Sequence, residues 1–422
     1  MSKLKGVSVL AALAALAVIA IFQFKPDSTV QARSPKTLLI GMDGVQLQRY
    51  EQLGSNLNLQ RLHYNKAYAG GVTGSSNRQS TISGPGWTTL LTGVWANKHD
   101  VISNATNLRV NPEFPSLFRR LRDASPSAYI ASIVHWAPIH TAFLLEDVKS
   151  NDLVETQASD ARVIARTLEV LSQTGADFTF IQLDEPDQAG HDACFGLGYN
   201  NALRVADNQL GQLLDAVEAR VRENPDEDWL VLVTTDHGRD AQGCGHGGDS
   251  EQEKTAFIAS NKPLNAEFTS PSPPAENPGP NDLYGFTNQA AVAPTVLRHM
   301  GITLPTSWRL DGTPLLGATG VRKARADQAT ARLLWNSQEN GEVVIEKNGQ
   351  RVAQVRADVQ QWVDPQGMND KADYTLTLNG TPAAVRIAGQ ASSHLVGAGL
   401  PRDNNINSTH QAAPDSSPAY QW

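Results

Sequence analysis

The chain has 422 residues, of which 40% are hydrophobic, and its formal net charge at pH 7 is −8. This length is enough for one large domain and a smaller one, each able to bury an apolar core. Because the chain is acidic overall and contains no block of basic residues, its composition argues against a nucleic-acid polymer as a partner.

The first 32 residues have the pattern of a secretory signal. Lys3 and Lys5 precede an apolar run from Val7 to Phe22, and a polar segment then ends at Ala32. This pattern predicts export to the periplasm or the cell exterior, with cleavage near Ala32 and no stable membrane association afterwards. The apolar run is short for a membrane span, so an uncleaved N-terminal anchor is the alternative.

Four apolar runs, at 37–44, 129–134, 178–184 and 229–236, predict buried strands of a parallel sheet. Helical periodicity at 161–171 and 203–221 separates some of them. The sequence therefore predicts an α/β fold, with a mainly parallel sheet and helices on both faces, over a domain at 33–318.

Later segments complete this domain and begin another. We expect a further strand at 255–259, a loop without secondary structure at 261–285, and a last helix around 293–297. Alternating runs at 342–347 and 350–355 flank Asn348-Gly349, a hairpin signal that recurs at Asn379-Gly380. These signals predict a small antiparallel β domain at 325–390, followed by a disordered polar tail at 391–422.

The chain has two cysteines, Cys194 and Cys244. An exported protein with an even number of cysteines usually pairs them, so a disulfide is predicted. Two unpaired, buried cysteines are the alternative.

Carboxylate and imidazole side chains cluster after the predicted strands, at the sheet edge where α/β proteins bind ligands. They are Asp43, Asp187, His191, Asp236, His237 and His246. Divalent ions such as Zn²⁺ take these two ligand types together, and six ligands could fill two three-residue sites. Each motif also has a simpler explanation: a turn at Asp236-His237-Gly238, a flexible turn around His246, or a local hydrogen bond between Asp187 and His191.

Ser83 precedes Gly84-Pro85-Gly86 and an apolar, helix-like run. A hydroxyl at a helix N-terminus lies where orphan N–H groups and the helix dipole favour an anion. Ser83 is therefore either the nucleophile for a phosphate ester and an extra metal ligand, or a residue that caps the helix.

Together these motifs resemble the nucleotide pyrophosphatase/phosphodiesterase branch of the alkaline phosphatase superfamily, over about residues 37–315. The resemblance rests on Asp43, Ser83 with Leu91-Thr92-Gly93 and His99, Glu185-Pro186-Asp187 with Gly190-His191, Asp236-His237-Gly238, and His246-Gly247.

The resemblance implies two divalent metal ions, expected to be zinc. One ion would be bound by Asp43, Ser83, Asp236 and His237, and the other by Asp187, His191 and His246. It also implies a small-molecule phosphate ester as substrate, a metal-activated Ser83 and a covalent phosphoseryl intermediate. Asn104 would bind a non-bridging phosphate oxygen; its alternatives are a turn residue or a glycosylation acceptor in Asn104-Ala105-Thr106.

The chain departs from the family pattern at three points. The nucleophile is Ser rather than Thr, and Gly84-Pro85-Gly86-Trp87 stands where the family has Phe-Pro-Asn-His. His246 also follows His237 by nine residues only, where the family inserts a longer segment. The surface that selects a nucleotide is therefore in doubt.

Three other functions stay open. A phosphomonoesterase would use a cationic group on the phosphate, but Arg239 is the one arginine close to a motif, and we expect it to be a solvated loop charge. A sulfatase would need an arginine where Trp87 stands, and usually binds Ca²⁺. A non-enzymatic exported binding protein is the third alternative.

Overall fold

The computed structural model describes residues 33–272, 277–369 and 372–387. The predicted signal at 1–32 and the predicted tail at 391–422 lie outside the described residues. Within the described ranges, no helix is both long enough and apolar enough to cross a membrane.

The core of the protein is an eight-stranded sheet with the strand order β4-β3-β5-β1-β6-β7-β2-β8. Its strands are β1 Ser34–Met42, β2 His63–Tyr68, β3 Ile130–Val134, β4 Leu153–Thr156, β5 Phe178–Leu183, β6 Glu227–Thr234, β7 Thr255–Ser260 and β8 Thr287–Asn288. The five strands from β4 to β6 in this order are parallel, and β7 runs antiparallel to β6. The predicted mainly parallel sheet is confirmed.

The helices lie on both faces of this sheet, as predicted. They are α1 Leu47–Glu51, α2 Ser83–Thr92, α3 Ala96–His99, α4 Leu117–Ala124, α5 Asp160–Gln173, α6 Glu185–Ala193, α7 Leu197–Glu223, α8 Glu251–Lys254, α9 Ala266–Thr269 and α10 Val292–His299. In β1, Leu38 and Ile40 join the core cluster that contains α5 and α7, whereas Leu39 joins the one that contains α2, α4 and α10. Alternate side chains are thus buried on opposite faces, which explains the continuous apolar run.

The register of the three central strands brings their carboxyl ends to one level. Gly41 of β1 pairs with Gln182 of β5 and with Thr234 of β6. Residues that follow these strands therefore meet at a single edge of the sheet.

Three strands of this sheet were not predicted, and a segment that was predicted to be a loop contains two short helices. The strands β2 and β4 have half-exposed, polar sequences, and β8 has only two residues, so none of them has the continuous apolar run of a central strand. The prediction of a loop without secondary structure at 261–285 is wrong, because α9 and a 3₁₀ helix at Pro280–Gly285 lie within it. The start of α9 is stabilised by the side chain of Asn265, which accepts a hydrogen bond from the Glu267 N–H.

The C-terminal part contains two four-stranded sheets, with the orders β13-β10-β9-β16 and β12-β11-β14-β15. Their strands are β9 Arg322–Asp327, β10 Arg332–Asn336, β11 Glu342–Lys347, β12 Gln350–Arg356, β13 Gln361–Val363, β14 Tyr374–Leu378, β15 Thr381–Ala384 and β16 Arg386–Ile387. All strand pairs except β9–β16 are antiparallel. The predicted hairpin is β11–β12, and its turn residues Asn348 and Gly349 have φ angles of 52° and 77°, as a type I′ turn requires.

Candidate active site

Two buried carboxylates face each other across the ends of β1 and β6. Asp43 follows β1 directly and is 1% exposed, and Asp236 lies two residues after β6 and is 0% exposed. One oxygen of each, Asp43 Oδ1 and Asp236 Oδ2, accepts no hydrogen bond from the described residues. Burial and neighbouring negative charge, from Asp236 on Asp43 and from Asp187 on both, raise the pKa of both carboxyls well above the usual value.

His237 lies between these two carboxylates. Its Nε2 is 3.2 Å from Asp236 Oδ2 and 3.6 Å from Asp43 Oδ1. Its Nδ1 lies 2.9 Å from the carbonyl oxygen of Gly238, which requires Nδ1 to donate a proton there. The neutral ring therefore presents an Nε2 lone pair to the carboxylates, and burial lowers the pKa of His237 well below its usual value.

Ser83 is the first residue of α2 and does not cap it. The helix has no side-chain capping bond, and the Ser83 hydroxyl lies 3.4 Å from His237 Nε2. The first turn of α2 comes this close because residue 86 is glycine: a Cβ at Gly86 would lie 2.9 Å from Asp236 Cβ. The capping explanation for Ser83 is thus wrong.

Asp187, His191 and His246 form a second group beside the first. Asp187 and His191 lie four residues apart on one face of α6, and Asp187 Oδ2 is 3.1 Å from His191 Nε2. His246 Nε2 lies 2.9 Å from His191 Nε2 and 3.7 Å from Asp187 Oδ1. The Nδ1 of His246 donates to the Thr81 carbonyl oxygen at 3.0 Å, so its Nε2 also presents a lone pair.

Asn104, the predicted phosphate-binding residue, lies beside the start of α2. Its Oδ1 accepts a 2.7 Å hydrogen bond from the N–H of Gly84, the residue after Ser83. The side-chain amide is thereby held next to the hydroxyl, with its Nδ2 as the remaining donor group.

Arg239 is not the solvated loop charge that we expected. It is 0% exposed, its Nη1 contacts Asp187 Oδ1, and its Nε donates to the Gly243 carbonyl oxygen at 2.7 Å. Burial opposes ionisation of Asp187, but the hydrogen bond with His191 and neighbouring positive charge, including that of Arg239, lower the pKa of Asp187 below its usual value. The expectation failed because the partner of Arg239 is 52 residues away in the sequence.

Sequence reasoning also missed two donors to Asp43. The Nε1 of Trp87 and the Nε2 of Gln182 both donate to Asp43 Oδ2, at 2.9 and 3.1 Å. Gln182 could have been suspected, because it is a polar residue within the buried apolar run of β5. Trp87 gave no such signal, since a tryptophan in an apolar helix is ordinary core.

A third group of possible ligands, His135, Asp160 and Glu185, lies beside α6. Both oxygens of Asp160 are already used: Oδ1 accepts the N–H of Asp184 at 2.8 Å and Oδ2 that of Glu185 at 3.0 Å. Asp160 therefore holds the start of the helix that carries Asp187.

The predicted disulfide between Cys194 and Cys244 is present. Cys194 follows α6 directly, three residues after His191, and Cys244 lies two residues before His246. The bond thus joins the two chain segments that supply the second group.

The residues fit divalent metal ions. Possible ligand atoms of Asp43, Asp187 and His237 lie within 4.8 Å of one another, as do those of Asp187, His191 and His246. Buried carboxylate oxygens without donors, next to imidazole lone pairs, are what a cation would complete. The structure thus brings the six predicted Asp and His residues and Ser83 together at one edge of the sheet.

Comparison with known protein families agrees with this chemistry. A family model described as the metalloenzyme superfamily matches residues 142–250, about a quarter of the chain. The matched segment includes Asp187, His191, Asp236, His237 and His246, whereas Asp43, Ser83 and Asn104 lie before it. This similarity agrees with the divalent-metal chemistry of the residues brought together here. No curated protein sequence gives a significant match.

Solved structures resemble the chain distantly. Ps i-CgsB is 13% identical, with 66% of this chain and 75% of that chain covered and a TM-score of 0.46. Murine ectonucleotide pyrophosphatase/phosphodiesterase 5 is 18% identical, with 48% and 57% covered and a TM-score of 0.36. A variant of TAB5 alkaline phosphatase is 12% identical, with 65% and 100% covered and a TM-score of 0.41.

Proposed function

We propose that this protein is a two-metal hydrolase of phosphate esters, with phosphodiesterase or nucleotide pyrophosphatase-like activity and Ser83 as nucleophile. The observation that carries the proposal is the position of the Ser83 hydroxyl, 3.4 Å from His237 Nε2 and beside buried carboxylate oxygens that lack donors. A serine needs such surroundings, because its hydroxyl is a weak nucleophile until a base or a metal activates it.

Each group has a defined task in this proposal. Asp43, Asp236, His237 and Ser83 would hold one divalent ion, and Asp187, His191 and His246 the other; the Asp and His donor set suits zinc. Bound metal would lower the pKa of the Ser83 hydroxyl and offset the charge of the substrate.

The Ser83 hydroxyl loses its proton to solvent and Oγ attacks phosphorus. The bond to the leaving oxygen breaks, that oxygen keeps the electron pair, and a phosphoseryl ester forms. Water hydrolyses that ester and restores the hydroxyl. The Asn104 side chain is held beside the Ser83 hydroxyl, where its Nδ2 would donate to a non-bridging oxygen and stabilise the negative charge of that oxygen.

A diester is favoured over a monoester by the state of Arg239. A monoesterase needs a cation free to bind the extra charge of the phosphate. Arg239 is fully buried, contacts Asp187, and donates to the carbonyl oxygens of Gly243 and Cys244. The Arg239 guanidinium is therefore occupied by contacts within the protein and is not free to bind a phosphate.

The sulfatase alternative is disfavoured by Trp87. The position where a sulfatase would need arginine holds a buried indole that donates to Asp43. Three histidines in the site also suit zinc better than Ca²⁺, which takes oxygen ligands.

One experiment tests the proposal. Purified protein is assayed with bis-p-nitrophenyl phosphate, p-nitrophenyl phosphate, p-nitrophenyl sulfate and thymidine 5′-p-nitrophenyl phosphate, and metal content is measured on the same sample. We expect about two zinc ions per chain and the highest kcat/KM on a diester. Preference for the monoester or the sulfate would replace the proposal by that activity, and absence of both metal and turnover would favour a binding protein.

The nucleophile is tested by Ser83→Ala, which should retain metal and lower kcat by roughly 10⁴-fold or more. The matched control is Ser132→Ala in the middle of β3, where a buried hydroxyl pairs with His140 Nε2 at 2.8 Å. Unchanged turnover in Ser83→Ala would contradict the assignment.

We also propose that the protein is exported to the periplasm or the cell exterior. The Cys194–Cys244 disulfide supports this location, because disulfides persist in oxidising compartments. Cell fractionation of the full chain tests it, and recovery in the cytosol with the first residues intact would contradict it.

A further inference from the structure

Trp87 connects the helix that carries the nucleophile to the strand that carries a candidate metal ligand. It lies four residues after Ser83 on α2, so the two side chains share one face of the helix. Its indole is 1% exposed, and Nε1 donates to Asp43 Oδ2 at 2.9 Å.

The position of the indole ring is fixed by its contacts with two strands. It lies against the backbone of Gly41, two residues before Asp43, where a Cβ would come within 2.3 Å of the ring. On another side it packs on Phe180 of β5, with ring centroids 6.0 Å apart. Because the ring is fixed by both strands, the direction of its N–H is fixed as well.

This N–H determines which carboxylate oxygen of Asp43 stays available to a metal ion. Trp87 and Gln182 both donate to Oδ2, and two donors on one oxygen fix the rotation of the carboxylate. The other oxygen, Oδ1, has no donor among the described residues and lies 3.6 Å from His237 Nε2. Partners of this kind orient metal ligands, and their loss typically weakens metal binding about 10–100-fold.

We propose that Trp87 is a positioning residue, which aims Asp43 Oδ1 at the metal and keeps it in register with the Ser83 hydroxyl one helical turn away. The inference rests on the proposed function, since it assumes that Asp43 is a metal ligand.

The test removes the N–H donor and keeps an aromatic side chain at position 87. Trp87→Phe loses the indole N–H, and benzothienylalanine at position 87 replaces that N–H by sulfur in a bicyclic ring of the same shape. Zinc affinity is measured by chelator competition, and kcat and KM on bis-p-nitrophenyl phosphate. Both substitutions should weaken zinc binding about 10–100-fold and lower kcat at saturating zinc with little change in KM.

Trp335→Phe is the matched control. Trp335 is also 1% exposed, and its Nε1 donates to the Ala357 carbonyl oxygen at 3.2 Å, within the C-terminal sheets. This variant should lose thermal stability while its zinc affinity stays at the wild-type value.

The outcomes separate the two proposals. If the wild type binds no divalent metal, the proposed function is wrong. If the wild type binds zinc and both position-87 substitutions bind it equally tightly, only the positioning role is wrong. A fall in zinc affinity as large in Trp335→Phe would also overturn it, because the loss would then follow from general destabilisation.

Discussion

Replacing Asp43 by asparagine should stabilise the metal-free protein while reducing the stabilisation that metal gives it. The amide oxygen of Asn would still accept from Trp87 and Gln182. The amide nitrogen would replace Oδ1, 3.6 Å from the unprotonated Nε2 of His237, and could donate to it. Asp43→Asn therefore keeps two hydrogen bonds, offers a third, and removes a buried negative charge that is repelled by Asp236 and Asp187.

The magnitude follows from the cost of an unpaired buried charge. Replacing even a buried ion pair by well-packed uncharged residues often stabilises a protein by about 1–4 kcal/mol, and we expect a gain in this range for Asp43. At about 2–4 °C per kcal/mol for a large domain, the Tm of the chelator-treated variant should exceed that of the treated wild type by about 2 °C or more. With zinc at 100 times the Kd of one site, occupation of that site should add about 2.7 kcal/mol. The variant should lack this gain for the ion that Asp43 would hold and keep it for the ion at Asp187, His191 and His246.

The assay is thermal unfolding of chelator-treated and zinc-loaded protein, followed by circular dichroism. Asp207→Asn is the matched control, because Asp207 is buried but fully paired with Tyr50 Oη at 2.6 Å and with the N–H groups of Asn58 and Leu59. That variant should be destabilised by about 1–3 kcal/mol. If metal-free Asp43→Asn is destabilised as much as the control, Asp43 is not an unpaired charge held for a cation, and the reasoning is refuted.

Much of the candidate site could be predicted because its ligands follow the ends of central strands, which have a recognisable sequence pattern. Central strands of a parallel sheet are buried on both faces, so their apolar runs are continuous and their ends are visible in the sequence. Asp43 and Asp236 follow two such runs, and the Gly41–Thr234 pairing brings the two ends to one level. The edge strands could not be found in this way, because a strand such as β4 alternates between half-buried and exposed residues.

The residues that hold the ligands could not be predicted, because their partners are distant in the chain. Trp87 and Gln182 reach Asp43 across 44 and 139 positions, and Arg239 reaches Asp187 across 52. Their residue types suggest core packing or a solvated charge until the fold brings the partners together. Motif reasoning therefore finds groups that would touch a metal or a phosphate more readily than groups that orient them.

Two further predictions concern pH and the disulfide. Burial and nearby negative charge raise the pKa of Asp43 above 3.8, so as pH rises past that value the unfolded chain loses the proton first and folding loses stability until the folded carboxyl ionises. The Tm advantage of metal-free Asp43→Asn over wild type should therefore grow from pH 4 to pH 7, and an advantage independent of pH would contradict this origin. The Cys194–Cys244 bond closes a loop with a sequence separation of 50, so replacing both cysteines by serine should cost about 4 kcal/mol of stability. The bond also joins the segments of His191 and His246. The double variant should therefore bind the ion held by these histidines more weakly than the wild type does, with the affinity for the other ion unchanged, as measured by chelator competition. If the double variant has a lower Tm but both zinc affinities are unchanged, the disulfide stabilises the fold without positioning the metal ligands. A bond that positions His191 and His246 could not be removed without changing their affinity for zinc.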